Sequence, residues 1–538
     1  MARAAIGAKF MKIKRLATVS GLVALPLAVG AFVLQGQTGA DGPRLFSQVL
    51  RMVEQHAVDS LGNAEIYEKA ARGLVKNLND PYADLYSPKE LASFQRNTLG
   101  NNYGGIGMQI QSQDGQITVT TVFSGTPGQQ GGVQTGDRIL MVDTTAVTGL
   151  RIEDVSSKLT GPAGTKVNVT FGRAGVPEPI KVTFTRAVIK VPAVPYAVML
   201  ENNIGYLVLQ RFNENAAQQV ENAVESLRAK GAKSFIIDVR GNPGGSLDQS
   251  LEIGNLFLKP GVEIASVRHR GKTPEIYKAN RLSIIDSSSV VVLIDQYSAS
   301  ASEIVAGALQ DQDRALVVGQ ASFGKGLVQT LFPLEGGWAI KLTTGKWYTP
   351  SGRSIQGEHK QLADGRFVEY APDSAESDSA RKARPQFKSA SGRVVLGGGG
   401  VTPDVIVKPD TITTPEQEFI RATATKAAVI YNTVYSYARE LRPSLKPDFT
   451  VEPAWRDELY RRLTKADVKV DRKMFDAAEP YINRYMEQQL AKLAFGDSAG
   501  FRRSIPEDRQ LLTAIEYIKK ARTQRDMLAL AAKESNNQ

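Results

Sequence analysis

Two short stretches of the chain carry the side chains best suited to chemistry. Tyr297-Ser298-Ala299-Ser300-Ala301-Ser302-Glu303 follows directly on the apolar run Val291–Asp295 and opens an amphipathic helix. A serine at such a strand-to-helix junction presents its hydroxyl beside the unpaired N–H groups of the first helical turn. Those donors and the helix dipole can stabilise a developing oxyanion. Serines in the same place also serve simply as helix caps. Phe323-Gly324-Lys325-Gly326 then sets one lysine between two glycines, 25 residues beyond Ser300. Such a lysine is often a turn residue or a phosphate contact, but the Gly-x4-Gly-Lys-Ser/Thr spacing of a phosphate loop is absent. A lysine in an apolar pocket loses its preference for the charged form and can take a proton from a serine hydroxyl. A third stretch, Asp238-Val239-Arg240-Gly241-Asn242-Pro243-Gly244-Gly245, lets backbone N–H groups approach a ligand closely. It reads equally well as an ordinary glycine-rich βα turn or a nucleotide loop.

Composition narrows these choices. The chain has 538 residues, too many for one ordinary domain, with 42% hydrophobic and 22% charged residues. It has no Cys, so disulfides, a thiolate nucleophile and Cys-ligated metal are excluded. The three histidines, His56, His269 and His359, lie far apart and outside any metal-binding spacing. A hydrolase built from this sequence is therefore expected to use lysine, not histidine, as general base, and to need no metal or organic cofactor. The net charge of +11 is mild for this length, and no basic stripe with interleaved aromatics argues for nucleic acid.

The elements that must position these residues follow from periodicity. Arg3, Lys9, Lys12, Lys14 and Arg15 precede the apolar run Leu16–Leu34, an export signal or single membrane anchor. Residues 1–42 are assigned to it, and the bulk of the chain is expected outside the cytoplasm, in a bacterial periplasm. Residues 43–100 show helical spacing, with Ser87-Pro88-Lys89-Glu90 as an N-terminal cap. Residues 101–190 switch to short alternating strands. From Ile204 to about Leu342 strands and helices alternate, the signature of an α/β core. That core is taken as 191–410, with a polar stretch at 358–392 expected to be a mobile insertion. Residues 411–538 read as helical.

With these blocks in hand the chain resembles the carboxyl-terminal processing peptidases, or tail-specific proteases. The resemblance is carried by Ser298–Asp311, Phe323-Gly324-Lys325-Gly326-Leu327-Val328-Gln329, Asn242-Pro243-Gly244-Gly245, Tyr348-Thr349-Pro350-Ser351-Gly352 and Gly400-Val401-Thr402-Pro403-Asp404. They occur in the family's order, over roughly residues 45 to 410. The resemblance implies a multidomain α/β protein: an N-terminal helical arm, a PDZ domain, a ClpP/crotonase-like protease core and a C-terminal helical domain. It implies Ser300 as nucleophile, Lys325 as general base, Gln329 as the group orienting the lysine amine, and the N–H groups of Gly244 and Ala301 as the oxyanion hole. Asp311 is expected to be a structural acid, since a carboxylate beside Lys325 would raise the lysine pKa. Ser298 and Ser302 are the nearest rival nucleophiles.

Within the PDZ-like segment the resemblance sets Tyr103-Gly104-Gly105-Ile106-Gly107 at a carboxylate-binding loop, with Gly105, Ile106, Gly107 and Met108 as peptide-binding residues and Ile106, Met108 and Ile110 lying beside the peptide. The expected partners are protein substrates with disordered or apolar C-termini, an adaptor protein, and a second copy of the chain. The chain departs from the family at Leu159-Thr160-Gly161, where an arginine is usual, and at Asp80-Pro81-Tyr82. The expected function is thus a serine endopeptidase acting near protein C-termini. The rivals are a catalytically silent PDZ adaptor and a small-substrate esterase or amidase using the same pair. The helices beyond residue 411 are expected to be an interaction or oligomerisation element.

Overall fold

The structure is a computed structural model that describes residues 42–59, 61–95, 102–113, 116–123, 126–133, 137–150, 152–173, 178–357, 360–361, 367–368, 383–408, 413–423 and 426–535. The expected export signal or anchor lies outside them. Among the described residues no helix is long and apolar enough to cross a membrane. The chain divides into two compact units, up to Leu85 and from Tyr86 onwards.

The first unit contains helices α1 (Gly42–His56) and α2 (Asn63–Lys76). Helix α1 is amphipathic but buries no residue, leaving Leu45, Phe46, Val49 and Met52 exposed. The second unit opens with α3 (Pro88–Phe94), started by a reciprocal capping box in which the Glu90 carboxylate accepts the Ser87 N–H at 2.8 Å.

The PDZ domain follows. Strand β1 (Asn102–Gly105) pairs antiparallel with a later strand, Ala187–Lys190. The main sheet consists of β2 (Met108–Gln113), β3 (Gln116–Val122), β4 (Arg138–Val142), β5 (Lys166–Gly172) and β6 (Ile180–Thr185), in that spatial order, so β2 is its edge. Helix α4 (Ile152–Leu159) packs against β2 and β4. Alternating residues such as Val167, Val169 and Phe171 turn inward, joining Ile117, Val119, Val155 and Phe184 in a small core of their own. The Arg173 guanidinium closes the sheet end on the buried Asp137, with 2.7 Å bonds to both carboxylate oxygens.

The α/β core is built on a six-stranded sheet. Its spatial order is Ala197–Leu200, β7 (Ile204–Val208), β8 (Ser234–Asp238), β9 (Ser289–Ile294), β10 (Leu316–Gly319) and β11 (Val405–Ile406). The first pairing is antiparallel and the remaining four are parallel. Strand β9 reads Ser-Val-Val-Val-Leu-Ile and is buried throughout, because a parallel sheet is covered on both faces. One face is covered by α5 (Ala216–Ala229), α6 (Leu247–Phe257) and α7 (Ala301–Asp311), whose Val220, Ile253 and Leu309 meet Phe235, Ile237 and Val292. A second sheet of Glu263–His269, Glu275–Lys278, β12 (Leu327–Pro333) and β13 (Ala339–Tyr348) is antiparallel. Alternation in the sequence does not mark β12 or β13, because β12 and most of β13 are only half-buried and show no clean inside–outside pattern.

The expected insertion at 358–392 lies largely outside the described residues, and its described end is tied to the core by strand pairing and a hydrogen bond. Gln386–Lys388 pairs with Val394–Leu396, and the Ala390 N–H donates to the Asp311 carbonyl at 2.7 Å. Residues 411–538, expected as one appended domain, divide their packing. Phe419, Val434, Leu459, Phe475 and Met486 form a separate helical core. By contrast α8 (Asp497–Ser504), α9 (Arg509–Lys520) and α10 (Gln524–Ser535) cover the second face of the parallel sheet, with Leu511, Ala514, Met527 and Leu528 against Ile236, Val291, Leu293 and Leu316. Amphipathic helices look alike in sequence whether they face each other or a neighbouring sheet.

Candidate active site

Ser300 stands between β9 and α7, at φ +54° and ψ −113°. A non-glycine residue rarely takes up such a backbone, and holding it there costs about 1–3 kcal/mol. Three ties impose it. The Ser300 N–H donates to Glu303 Oε2 at 2.7 Å, the Ala299 N–H donates to the Asn242 carbonyl at 3.0 Å, and the Ser298 N–H donates to the Asp295 carbonyl at 2.9 Å. The rival serines are spent on the same task. Ser298 and Ser302 are both 0% exposed; Ser298 Oγ donates to the Val239 carbonyl at 2.8 Å and Ser302 Oγ to the Asn242 carbonyl at 2.9 Å. Both tie the helix start to the glycine-rich turn after β8. Ser300 alone of the three is half-buried.

Lys325 stands in the segment that joins β10 to β12. Its glycine neighbours are required because backbones press on both: a Cβ on Gly324 would stand 3.0 Å from the Gly357 nitrogen, and one on Gly326 3.0 Å from the Gln356 nitrogen. The buried Trp347 donates its indole N–H to the Lys325 carbonyl at 3.0 Å. The Lys325 N–H donates to Glu303 Oε2 at 2.9 Å, the oxygen that also holds Ser300. The other oxygen, Oε1, accepts from Ser322 Oγ at 2.5 Å and the Gly324 N–H at 2.7 Å. Glu303 is 0% exposed, and burial pushes its carboxyl up to about 7 against the pull of these four bonds. In the sequence Glu303 shows only as an acidic N3 residue. Its bonds to residues 322–325 are long-range and left no local signal.

The remaining predicted residues fall as follows. Ala301 takes the first position of α7, where the helix leaves N–H groups without helical acceptors. Gly244 lies against the nucleophile: a Cβ there would stand 2.9 Å from both Ser300 Cβ and the Ala301 nitrogen, and its φ is +99°. Its N–H, expected as an oxyanion donor, is instead taken by Asn242 Oδ1 at 2.9 Å. The cause is local, since an asparagine side chain bonds its own backbone two residues on. Gln329 lies on β12 opposite Thr343, and its Nε2 donates to Thr343 Oγ1 at 3.4 Å. Asp311 sits at the other end of α7, about 16 Å along the helix from Ser300. It forms a fully buried ion pair with Arg353 at 2.8 Å and accepts the Ser351 N–H at 3.0 Å.

In the PDZ domain Gly105 ends β1, and Gly107, at φ +83°, presses on Thr126. Ile106 and Met108, expected beside the peptide, are 2% and 8% exposed and belong to the domain core. Edge strand β2, with α4 alongside, is where an extended peptide would add.

A serine at a strained strand-to-helix junction, a lysine brought to the same buried carboxylate and a PDZ domain ahead of the α/β core together outline a serine peptidase. Residues 203–362 match peptidase family S41 and residues 118–173 match a PDZ domain. The carboxy-terminal-processing protease of Bartonella bacilliformis is 37% identical over 317 residues, 58% of this chain and 72% of that protein. The carboxy-terminal processing protease CtpA of Bacillus subtilis is 32% identical over 362 residues, 67% of this chain and 76% of that protein. Among solved structures, the photosystem II D1 C-terminal processing protease is 27% identical, with a TM-score of 0.37 over 69% of this chain and 89% of that one. The chain belongs to the carboxy-terminal processing proteases of peptidase family S41 and is a serine-type endopeptidase.

Proposed function

We propose that Ser300 and Lys325 form a nucleophile–base pair that cleaves exported proteins near their C-termini, with the PDZ domain capturing the substrate tail. The observation that carries this is the convergence of the Ser300 and Lys325 N–H groups on Glu303 Oε2. Ser300 Oγ attacks the scissile carbonyl carbon while its proton passes to a neutral Lys325 Nζ. The oxyanion develops beside the Ala301 N–H and the start of α7, and the Gly244 N–H joins it when Asn242 Oδ1 releases it. Collapse breaks the C–N bond, Lys325 returns the proton to the leaving amine, and water hydrolyses the acyl-enzyme. Gln329 fits the role of orienting the lysine: its Nε2 faces Thr343, so Oε1 is the atom that accepts from the amine.

The substrate enters as an added strand at the edge of β2, its terminal carboxylate near Gly105, Ile106 and Gly107. That geometry reads main-chain shape and favours unstructured tails. The basic, apolar N-terminal stretch supports an exported, periplasmic setting, either anchored or released. An adaptor or a second copy of the chain completes the list of proposed partners.

The test is cleavage of a folded protein bearing a disordered apolar tail, followed by mass spectrometry. Ser300→Ala and Lys325→Ala are each expected to abolish cleavage while leaving the circular dichroism and melting temperature unchanged. Full activity in either variant contradicts the pairing.

A further inference from the structure

We infer that Asp508, in the C-terminal segment, is a positioning residue for the oxyanion side of the active site, acting through Arg240. This rests on the Ser300–Lys325 reading for its catalytic consequence, though not for its structural one. Arg240 immediately precedes Gly241-Asn242-Pro243-Gly244-Gly245, the turn that packs against Ser300. Its guanidinium is divided between two carboxylates from different layers. Nε and Nη2 bond Asp238 at 2.6–3.0 Å, at the end of β8. Nη1 and Nη2 meet Asp508 Oδ1 and Oδ2 at 2.8 and 2.7 Å, a bidentate pair across 268 residues of sequence. Gln510 Oε1 accepts from the same Nη1 at 3.2 Å.

The arrangement is enclosed and joined at both ends. Asp508 is 16% and Arg240 21% exposed in their side chains, and Asp238 is further held by the Tyr206 hydroxyl at 2.6 Å. Asp508 Oδ1 also accepts the Leu511 N–H at 2.9 Å, so one oxygen caps α9 and grips Arg240. On the other side the turn is bonded to the nucleophile's helix: the Asn242 carbonyl accepts Ser302 Oγ and the Ala299 N–H. The path from α9 to Ser300 therefore runs through Asp508, Arg240 and the 241–245 turn. A bidentate guanidinium–carboxylate pair fixes direction as well as distance, which a single point contact does not. The helices at the end of the chain thus complete the catalytic core.

The test compares Asp508→Asn with Met527→Ala in the full chain. Asparagine keeps the helix cap and the shape but loses the charge. Met527 is buried in the same layer but on α10, outside the bonds that hold Arg240, and its truncation lowers stability by a cavity. Asp508→Asn is expected to lower kcat on the order of tenfold to a hundredfold with KM nearly unchanged, and to speed amide hydrogen exchange across residues 240–245. Met527→Ala is expected to lower the melting temperature and leave both readouts near wild type. Unchanged exchange in the turn of Asp508→Asn overturns the inference, as does an equal kcat loss in the two variants. If Asp508→Asn does not fold, Arg240→Lys replaces it, since it leaves the cap intact and removes only the fork. Faster exchange in the turn without any Ser300-dependent cleavage in the wild-type protein would instead remove the peptidase reading and leave the positioning role standing.

Discussion

The main-chain N–H groups of Ser300 and Lys325, 25 residues apart in sequence, meet on a single carboxylate oxygen, Glu303 Oε2, at 2.7 and 2.9 Å. Nucleophile and base are thus joined through their backbones, independently of the rotamer of either side chain. Because Glu303 sits one turn into α7, the same helix that presents Ser300 also sets where Lys325 must pass.

Glu303→Gln is predicted to be severe although nearly isosteric. Four donors face the carboxylate, and an amide would aim its own N–H groups at two of them. We expect kcat to fall at least tenfold and stability to fall by about 1–3 kcal/mol for the buried groups left unpaired. Steady-state kinetics and denaturant unfolding of the variant check both.

The raised pKa of Glu303 predicts opposite pH trends for stability and activity. From its ordinary 4.5 to about 7 in the folded protein, the unfolded chain ionises first. Its contribution to stability is therefore full below about 4.5, falls as pH rises to about 7, and is constant above. The total is on the order of 3 kcal/mol. Activity should rise over the same interval, as the ionised carboxylate accepts all four bonds. Unfolding free energies from pH 4 to 9, wild type against Glu303→Gln, should show this slope only in the wild type.

The three serines of the motif should separate cleanly. Ser298→Ala and Ser302→Ala remove buried hydroxyls that tie the helix start to the turn at Val239 and Asn242, and should each lower stability by about 1–3 kcal/mol while turnover persists. Ser300→Gly should abolish turnover and raise stability by about 1 kcal/mol, since glycine accepts φ +54° without strain. Thermal melts with a cleavage assay distinguish the two patterns.

Asp311 is predicted to matter for folding and not for proton transfer. Replacing it with Asn leaves the Arg353 charge in a fully buried site and should cost about 3–5 kcal/mol. The folded fraction, measured at low temperature, should retain the wild-type pH profile.

Much of this was legible in the sequence because it is local. The buried parallel strands announce themselves as unbroken apolar runs such as Val-Val-Val-Leu-Ile, and the Ser87 cap follows from residue type and spacing. What was not legible is set by distant contacts. The antiparallel sheet around Lys325 has half-buried strands without alternation, Asn242 claims the Gly244 N–H by a side-chain bond, and Asp508 finds Arg240 across the whole core. Ile106 and Met108 turn inward into a core shared with Ile117, Val119, Val155 and Phe184, contacts that lie far off in sequence.

The most direct test of the Ser300–Lys325 pair is the rate and site of labelling by a fluorophosphonate, mapped by peptide mass spectrometry. We predict a single adduct on Ser300, forming at least a hundredfold more slowly in Lys325→Met than in the wild-type protein, with the fold of both intact. An adduct on Ser298 or Ser302, or an unchanged rate in Lys325→Met, would contradict the pairing of this serine with this lysine.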